Sequence, residues 1–293
     1  MRIVSFLPST TEIVCDLGLA DQLMGVTIEC NWPTDVRSGR EIVVGTFADS
    51  SMTPGEIDAL VRERVAQGLD LYALDDEALR RCNPDLILTQ DLCRVCAVAS
   101  GDVNAALARL SCHAEVLQID PQRLDDVLSS IQAIADSAEV SERGRHYVAA
   151  LRERLTSIER SVGSLPRRSV LVLEWIDPPF GAGHWVPDLV ERAGGEVLLS
   201  EPGERSRTVT WDQVRFAAPD FVVVAPCGFN LDQAERQARE ILHLLPTTGE
   251  VWAIDADAVM VRPGPRLVEG VEALAAILHG VGEVPSAVLR RVR

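Results

Sequence analysis

Short β-rich runs alternate with helical patterns along most of this 293-residue chain, and this alternation constrains the fold more than any other feature. Two of the runs near the beginning are RIVSFL at 2–7 and PDLILTQ at 84–90. SVLVLEW at 169–175, FVVVAP at 221–226 and VWAID at 251–255 follow in the last part of the chain. Strands that alternate with helices usually form parallel sheets with crossover helices. We therefore expect an α/β protein with Rossmann-like, parallel sheets.

The alternation breaks once, between residues 121 and 162, where no strand pattern occurs. Within this stretch, SERGRHYVAALRERLTSIERSV at 141–162 has apolar residues spaced by three and four, which is typical of one long amphipathic helix. We predict an N-terminal α/β lobe at 1–120, a helical connection with the interlobe backbone helix at 121–165, and a C-terminal α/β lobe at 166–293. The expected architecture is two lobes joined by a single long helix.

A net charge of −16 and the complete absence of lysine exclude several function classes. Nucleic acids and anionic membrane surfaces bind clustered positive charge, so neither is an expected partner. Schiff-base enzymes and P-loop nucleotide sites need a lysine amine. No apolar run reaches the length of about 18 residues that indicates a membrane span. We expect a monomer whose partner is a small molecule or another protein.

The N-terminus and the cysteines bear on the cellular location. The sequence MRIVSFLPST enters a strand pattern at once, without the basic, apolar and small-residue regions of an export signal. This predicts a cytoplasmic protein, or a periplasmic or extracytoplasmic one if translation starts further upstream. Seven cysteines, an odd number in a chain of this size, favour reduced thiols over a disulfide framework.

The segment WIDPPFGAGHW at 175–185 concentrates aromatic side chains in a chain that has only 4% of them. It begins where a predicted strand ends, and ligand sites in α/β sheets lie beyond the carboxyl ends of strands. Asp177, His184 and Trp185 around two glycines are more typical of a ligand-facing loop than of a core. The alternative is a buried aromatic turn.

Two further loops follow predicted strands and carry candidate binding residues. PCGFN at 226–230 contains Phe229, an aromatic side chain that could contact a ligand. RPGPR at 262–266 is a rigid turn with two guanidinium groups, Arg262 and Arg266, which suit a carboxylate, phosphate or amide rim. The alternative for one of these arginines is a solvated side chain.

Three thiols, Cys30, Cys93 and Cys96, each follow a predicted strand and could converge on one rim of the N-terminal lobe. Inert, reduced thiols are one interpretation; a zinc or iron site is another, and its fourth ligand would have to be His184 or a carboxylate such as Glu29. A redox or corrinoid-facing dithiol is the third.

The remaining cysteines and histidines are predicted to be structural. The cysteines, which behave as small hydrophobes in a core, are Cys15, Cys82, Cys112 and Cys227. The histidines, which lack metal-ligand spacing, are His113, His146, His243 and His279. Neither G-x-S-x-G nor H-E-x-x-H occurs, so a binding protein is a better interpretation than an enzyme.

Five segments, in their order and spacing, resemble one known family. They are RIVSFLPSTTEIVCDLGL, GVTIECNWP, NPDLIL, DPPFGAGHWVPDLVERAGGE and RPGPRLVEGVEAL. Over nearly its full length the chain resembles the helical-backbone, or class III, substrate-binding proteins of ABC importers for iron chelates and vitamin B12. The likeness is specifically to the cobalamin-binding members.

The resemblance implies a non-catalytic protein that holds a corrinoid, cobalamin or a precursor, in an interlobe cleft. The residues that it and the loop patterns place at the ligand are Pro8, Ser9, Trp32, Trp175, Asp177, Phe180, His184, Trp185, Phe229, Arg262 and Arg266. A flat macrocycle with an amide fringe suits such aromatic side chains. If the protein is exported, the resemblance also implies an ABC permease as a partner.

Two alternatives stay open from the sequence. One is a cytoplasmic metal- or thiol-dependent enzyme on the same fold that uses Cys30, Cys93, Cys96 and His184. The other is a siderophore or haem binder. In the corrinoid interpretation, His184 hydrogen-bonds a corrin amide or coordinates cobalt.

Overall fold

The chain forms two compact α/β units. The computed structural model describes residues 1–47, 52–90 and 113–293. The first unit comprises Met1–Pro121 and Leu128–Val148, and the second comprises Gln122–Val127 and Ala149–Arg293.

The first unit contains a six-stranded sheet in the order β4-β3-β2-β1-β5-β6. Its strands are β1 (Ile3–Ser5), β2 (Leu23–Thr27), β3 (Glu41–Thr46), β4 (Tyr72–Leu74), β5 (Leu86–Thr89) and β6 (Glu115–Gln118). Every neighbouring pair is parallel except β3 and β4. The central strand β1 is fully buried because β2 and β5 flank it and its three residues contact the core.

The helices described with the first sheet begin and end where the sequence patterns change. They are α1 (Pro8–Asp16), α2 (Pro54–Ala66), α3 (Asp76–Cys82), α4 (Leu124–Ser137) and α5 (Ser141–Val162), with a short 3₁₀ turn at Ala20–Gln22. Proline begins both α1 and α2, a position that needs no backbone N–H. Helix α5 has the predicted bounds, so that prediction is confirmed; α4 and α5 each contribute residues to both units.

The second unit contains a seven-stranded sheet. Six strands follow the order β10-β8-β7-β11-β12-β13, and β9 also pairs with β7. The strands are β7 (Arg168–Ile176), β8 (Pro179–Gly181), β9 (Gly195–Val197), β10 (Arg207–Thr208), β11 (Phe221–Val224), β12 (Glu250–Ile254) and β13 (Leu289–Arg291). Strand β7 is the longest, and it has β11 on one side and both β8 and β9 on the other.

The helices of the second unit are short apart from two. They are α6 (Val186–Arg192), α7 (Trp211–Ala217), α8 (Leu231–Ile241), α9 (Ala256–Val259) and α10 (Leu267–His279). Capping boxes begin α7 and α8, in which Thr210 and Asn230 each exchange hydrogen bonds with a glutamine three residues later. None of the helices in the described ranges combines the length and apolarity needed to cross a bilayer.

The α/β prediction is confirmed, but both sheets are mixed rather than parallel throughout. Strand β4 in the first unit and β8, β10 and β13 in the second pair antiparallel with their neighbours. Each of these strands has only two or three residues. Such short segments carry too few residues to show an alternating pattern, so they could not be predicted from periodicity.

A buried carboxylate joins α4 to α6 within the second unit. Asp188 is 6% exposed and accepts three hydrogen bonds from the guanidinium of Arg123, at 2.6 to 3.0 Å. It also accepts the backbone N–H of Leu124 at 2.9 Å, which satisfies one of the free donors at the start of α4. Asp188 therefore acts as a capping residue from outside the helix.

We expect Asp188→Ala to lower the free energy of unfolding by about 2 kcal/mol, because the Leu124 N–H loses its acceptor and Arg123 loses its partner. Urea denaturation measures the change. Asp212→Ala is the control, since Asp212 pairs with Arg215 on the surface and its loss should have almost no effect. Equal effects of the two substitutions would contradict this account.

Candidate functional site

The end of strand β7 contains a β-bulge at Glu174. Leu173 pairs with Gly181 of β8 and Trp175 pairs with Phe180, so Glu174 is one extra residue on β7. Bulges increase the local twist and redirect the side chains beside them, and they are frequent next to functional sites. This bulge lies where the buried part of β7 ends and the aromatic segment begins.

Three half-buried aromatic rings lie around this bulge, and we call Trp175, Phe180 and Phe229 the aromatic wall. Trp175 and Phe180 are paired across the β7–β8 hairpin. The ring centroids of Trp175 and Phe229 are 5.7 Å apart, with the planes tilted by 49°. The indole N–H of Trp175 donates to the carbonyl of Asp177 at 3.0 Å. The structure thus brings together three residues that the sequence predicted for the ligand site.

The loop after β11 is attached to the same part of β7. The N–H of Cys227 donates to the carbonyl of Glu174 at 3.0 Å, and the N–H of Asp257 donates to the carbonyl of Phe229 at 3.4 Å. Cys227 is exposed, so the prediction that it is a core residue is wrong. The error arose because β11 ends at Val224, three residues earlier, and the chain becomes exposed at Cys227.

The two predicted arginines are engaged with carboxylates of the second unit. Arg262 is 7% exposed, and its guanidinium donates to Asp257 at 2.5 Å. Arg266 forms an ion pair with Glu269 at 3.6 Å. Because Asp257 also bonds the carbonyl of Phe229, the buried Arg262 supports the loop that carries part of the aromatic wall.

His184 has a constrained backbone and an enclosed side chain. Its φ is 52°, its N–H donates to the carbonyl of Glu204, and its carbonyl accepts from Gly203 at 2.9 Å. Burial, together with nearby Arg205, holds the pKa of His184 below its ordinary value. The Nε2 atom is buried and has no hydrogen-bond partner among the described residues. This nitrogen therefore faces protein rather than an open surface.

Trp185 also lies inside the second unit. It is 5% exposed, and its indole N–H donates to the carbonyl of Met260 at 3.0 Å. Its ring contacts that of His184, with 5.6 Å between the centroids. The buried position of Trp185 favours a role in core packing over a role in ligand contact. Asp177, at the tip of the hairpin, is exposed.

The predicted site residues of the first unit differ in exposure. Pro8 is the half-buried first residue of α1, whereas Ser9 is 4% exposed. Trp32 is 41% exposed. The ligand-binding role of these three residues stays a prediction.

The thiols fall into three groups. Cys30 is 1% exposed, and its sulfur lies 3.2 Å from the Thr11 hydroxyl and 3.4 Å from the Thr27 hydroxyl. Burial raises the pKa of Cys15 and of Cys82 to about 11, so both thiols stay protonated at neutral pH. Cys93, Cys96 and Cys112 lie outside the described residues.

The described ranges contain no group of three His, Cys, Asp or Glu side chains that could hold a metal ion. Two of the three predicted thiol ligands are not among them, so the zinc or iron site stays a prediction. Of the remaining histidines, His279 lies 3.1 Å from the carbonyl of Gly194, and His113, His146 and His243 are exposed.

A polar depression of about 610 Å³ in the second unit is lined by different residues. Its arginines include Arg123, which pairs with Asp188, and Arg192, which pairs with Glu159 and Asp125. Their charge is already neutralised by these carboxylates, so the depression has no excess positive charge for an anionic ligand.

Glu174 is the residue that the sequence analysis missed. Its carboxyl group accepts the Ser206 hydroxyl at 2.5 Å and the Gly183 N–H at 3.1 Å. Desolvation outweighs these two hydrogen bonds and raises the pKa of Glu174 to about 7. The available signal was a single acidic residue at the end of the otherwise apolar run SVLVLEW.

These features define a small-molecule-binding protein built from two α/β units. The chain matches the periplasmic binding protein family across residues 3–249 and therefore belongs to that family. The resemblance to substrate-binding proteins that the sequence indicated is confirmed. The family consists of binding proteins rather than enzymes.

Relatives and solved structures are similar along almost the whole chain. The ABC transporter substrate-binding lipoprotein YvrC of Bacillus subtilis is 23% identical, with 95% of this chain and 80% of YvrC covered. The vitamin B12-binding protein of Vibrio cholerae is 22% identical, with 94% and 88% covered.

Two solved structures share the fold. A periplasmic haem-binding protein from Pseudomonas aeruginosa superposes with a TM-score of 0.74 at 19% identity, covering 99% of this chain and 97% of that one. The periplasmic vitamin B12-binding protein BtuF of Vibrio cholerae gives 0.68 at 20% identity, covering 96% and 97%. The expected cytoplasmic location is not supported, because the family is periplasmic and YvrC is a lipoprotein.

The raised pKa of Glu174 predicts how stability depends on pH. An unfolded glutamate has a pKa near 4.5, so the folded protein binds this proton more tightly than the unfolded chain does. The stabilisation is complete below the unfolded pKa and is lost as pH rises through about 7. Glu174→Gln should remove this component, because glutamine does not ionise.

Thermal unfolding of both proteins between about pH 5 and about pH 8 measures the effect. We expect the Tm of the wild type to fall relative to that of Glu174→Gln as pH rises. Parallel Tm curves over this range would show that Glu174 has an ordinary pKa.

Proposed function

We propose that this protein captures a corrinoid, cobalamin or a precursor, as the substrate-binding component of an ABC importer. The observation that carries the proposal is the aromatic wall at the end of β7. Trp175 and Phe229 are in ring contact, and Phe180 lies beside Trp175 on the neighbouring strand. Half-buried rings at the end of a strand suit the broad apolar faces of a corrin.

The charge of the protein favours a corrinoid over haem. The net charge is −16, and Arg262 and Arg266 are paired with Asp257 and Glu269. Haem carries two carboxylates, which need positive partners when they leave water, whereas a corrin rim consists of neutral amides. The neutral rim demands only hydrogen bonds, for which the exposed hairpin around Asp177 supplies backbone and side-chain groups.

The geometry of His184 bears on how the metal of the ligand is held. Since the Nε2 atom of His184 is buried, it is poorly placed to coordinate cobalt. We therefore propose that the second unit holds the macrocycle by its faces and its rim, without a bond from His184 to the metal.

The named relatives support the same ligand class and the partner. The Vibrio cholerae relative is a vitamin B12-binding protein, and the Bacillus subtilis relative is an ABC transporter substrate-binding lipoprotein. We propose an ABC permease as the partner and an extracytoplasmic location for the protein.

We expect Trp175→Ala and Phe229→Ala each to weaken cyanocobalamin binding by about 1 to 3 kcal/mol, because each removes apolar surface from the ring contact. Isothermal titration calorimetry measures the affinity. Phe216→Ala is the matched control, since Phe216 is 93% exposed on α7 and lies outside the wall. Affinity that is unchanged in both wall variants would remove these rings from the site.

The same titrations with haemin separate the ligand classes. The proposal predicts that cyanocobalamin binds more tightly than haemin. Tighter binding of haemin would contradict the corrinoid assignment and leave the family membership untouched.

A further inference from the structure

Glu174 connects three segments of the second unit. Its backbone carbonyl accepts the N–H of Cys227, at the start of the loop that carries Phe229. Its carboxyl oxygens accept from Gly183 and from Ser206, which belong to two different loops. One residue thus links the end of β7 to the loop that carries Phe229 and to the loops at Gly183 and Ser206.

The two loops are packed closely at Gly183. A Cβ atom placed on Gly183 would lie 2.2 Å from the backbone nitrogen of Ser206 and 2.8 Å from the carbonyl of Glu204. Glycine is therefore required at position 183, and it leaves the N–H free to donate to Glu174. The neighbouring bond from the His184 N–H to the Glu204 carbonyl closes the contact between the loops.

The bulge gives the position of Glu174 a direct consequence for Trp175. Because Glu174 has no opposing residue on β8, its conformation determines where β7 continues after the bulge. Trp175 is the next residue, and it forms the ring contact with Phe229. A change at Glu174 is thereby transmitted to both rings.

A carboxyl group at this position has a free-energy cost, because the surrounding protein removes it from water. Desolvation raises the pKa of Glu174 although two donors stabilise its charge. The titratable groups on the adjoining segments are His184, Glu204 and Arg205 on the two loops and Cys227 after β11. A half-buried carboxyl group whose desolvation costs stability fits a role in fixing one loop arrangement rather than in strengthening the core.

We propose that Glu174 is a positioning residue for ligand binding, whose carboxyl group clamps the loops at Gly183 and Ser206 to the β7 bulge and so holds Trp175 against Phe229. The inference rests on the proposed function, because it assigns the aromatic wall as the binding surface. It assigns no contact between Glu174 and the ligand.

The test compares Glu174→Ala, Glu174→Gln and Ser206→Ala with the wild type, using cyanocobalamin in calorimetry. Glu174→Ala should weaken binding about tenfold, as expected for the loss of a preorganising pair of hydrogen bonds. Glu174→Gln keeps an acceptor oxygen at this position and should retain most of the wild-type affinity, since the clamp needs an acceptor for the Gly183 and Ser206 donors rather than a charge. Ser206→Ala removes one donor and should have a smaller effect.

Hydrogen–deuterium exchange in the ligand-free protein reports the clamp without any corrinoid. Backbone amides around Gly183 and Ser206 should exchange faster in Glu174→Ala than in the wild type, and Glu174→Gln should restore slow exchange. Glu201→Gln, an exposed glutamate close to the same loop, is the control and should change neither readout.

The outcomes separate the two proposals. If the wild type binds cyanocobalamin and Glu174→Ala binds it equally well, the positioning role is overturned and the proposed function stands. If exchange is also unchanged in Glu174→Ala, the clamp itself is overturned. If the wild type does not bind cyanocobalamin, the proposed function fails, and the positioning role fails with it.

Discussion

The position of the aromatic wall in the second unit depends on strand β7, which is buried along most of its length and then leaves the core. Val170, Leu171, Val172 and Leu173 are each 0% exposed. Strand β11 pairs with one edge of β7 and β8 and β9 pair with the other, while Leu171 and Leu173 pack into the apolar core of the unit. A strand enclosed in this way cannot shift its register without exposing its apolar side chains. The bulge at Glu174 ends this enclosed stretch, and it therefore determines where the aromatic wall begins.

The pairing of arginines with carboxylates is the second constraint, and it disfavours an anionic ligand. The chain has 28 arginines and 44 acidic residues, so carboxylates outnumber cations. Arg123, Arg192 and Arg262 are all paired with carboxylates inside the second unit. Guanidinium groups that already stabilise the fold are poor candidates for binding an anion, because a ligand would have to displace their partners. A neutral macrocycle avoids this competition.

The long elements could be predicted from the sequence because each carries many residues of one periodicity. Helix α5 has the predicted bounds, and β7 differs from its predicted run by one residue at each end. The antiparallel strands β8 and β10 could not be predicted, since they have three and two residues and are held by pairing to β7 and to each other. Their presence depends on tertiary contacts rather than on local pattern.

The candidate site was predictable in its location but not in the role of each side chain. Trp175 and Trp185 belong to the same aromatic segment, yet Trp175 is half-buried beside Phe229 and Trp185 is packed against the carbonyl of Met260. The difference arises from the path of the chain through the hairpin and into α6, which residue types alone do not specify. Glu174 was missed for the same reason, because its contacts with Gly183, nine residues away, and Ser206, 32 residues away, depend on how the loops fold back onto β7.

We propose that this protein binds a corrinoid by its faces and rim, without a bond from His184 to cobalt. A visible-absorbance titration of the reduced, purified protein with hydroxocobalamin and with cyanocobalamin tests it most directly. We expect saturable binding of both forms with similar affinity and no change in the cobalt-sensitive bands of hydroxocobalamin. A band shift confined to hydroxocobalamin would show a protein ligand on cobalt, and no binding of either form would contradict the corrinoid assignment.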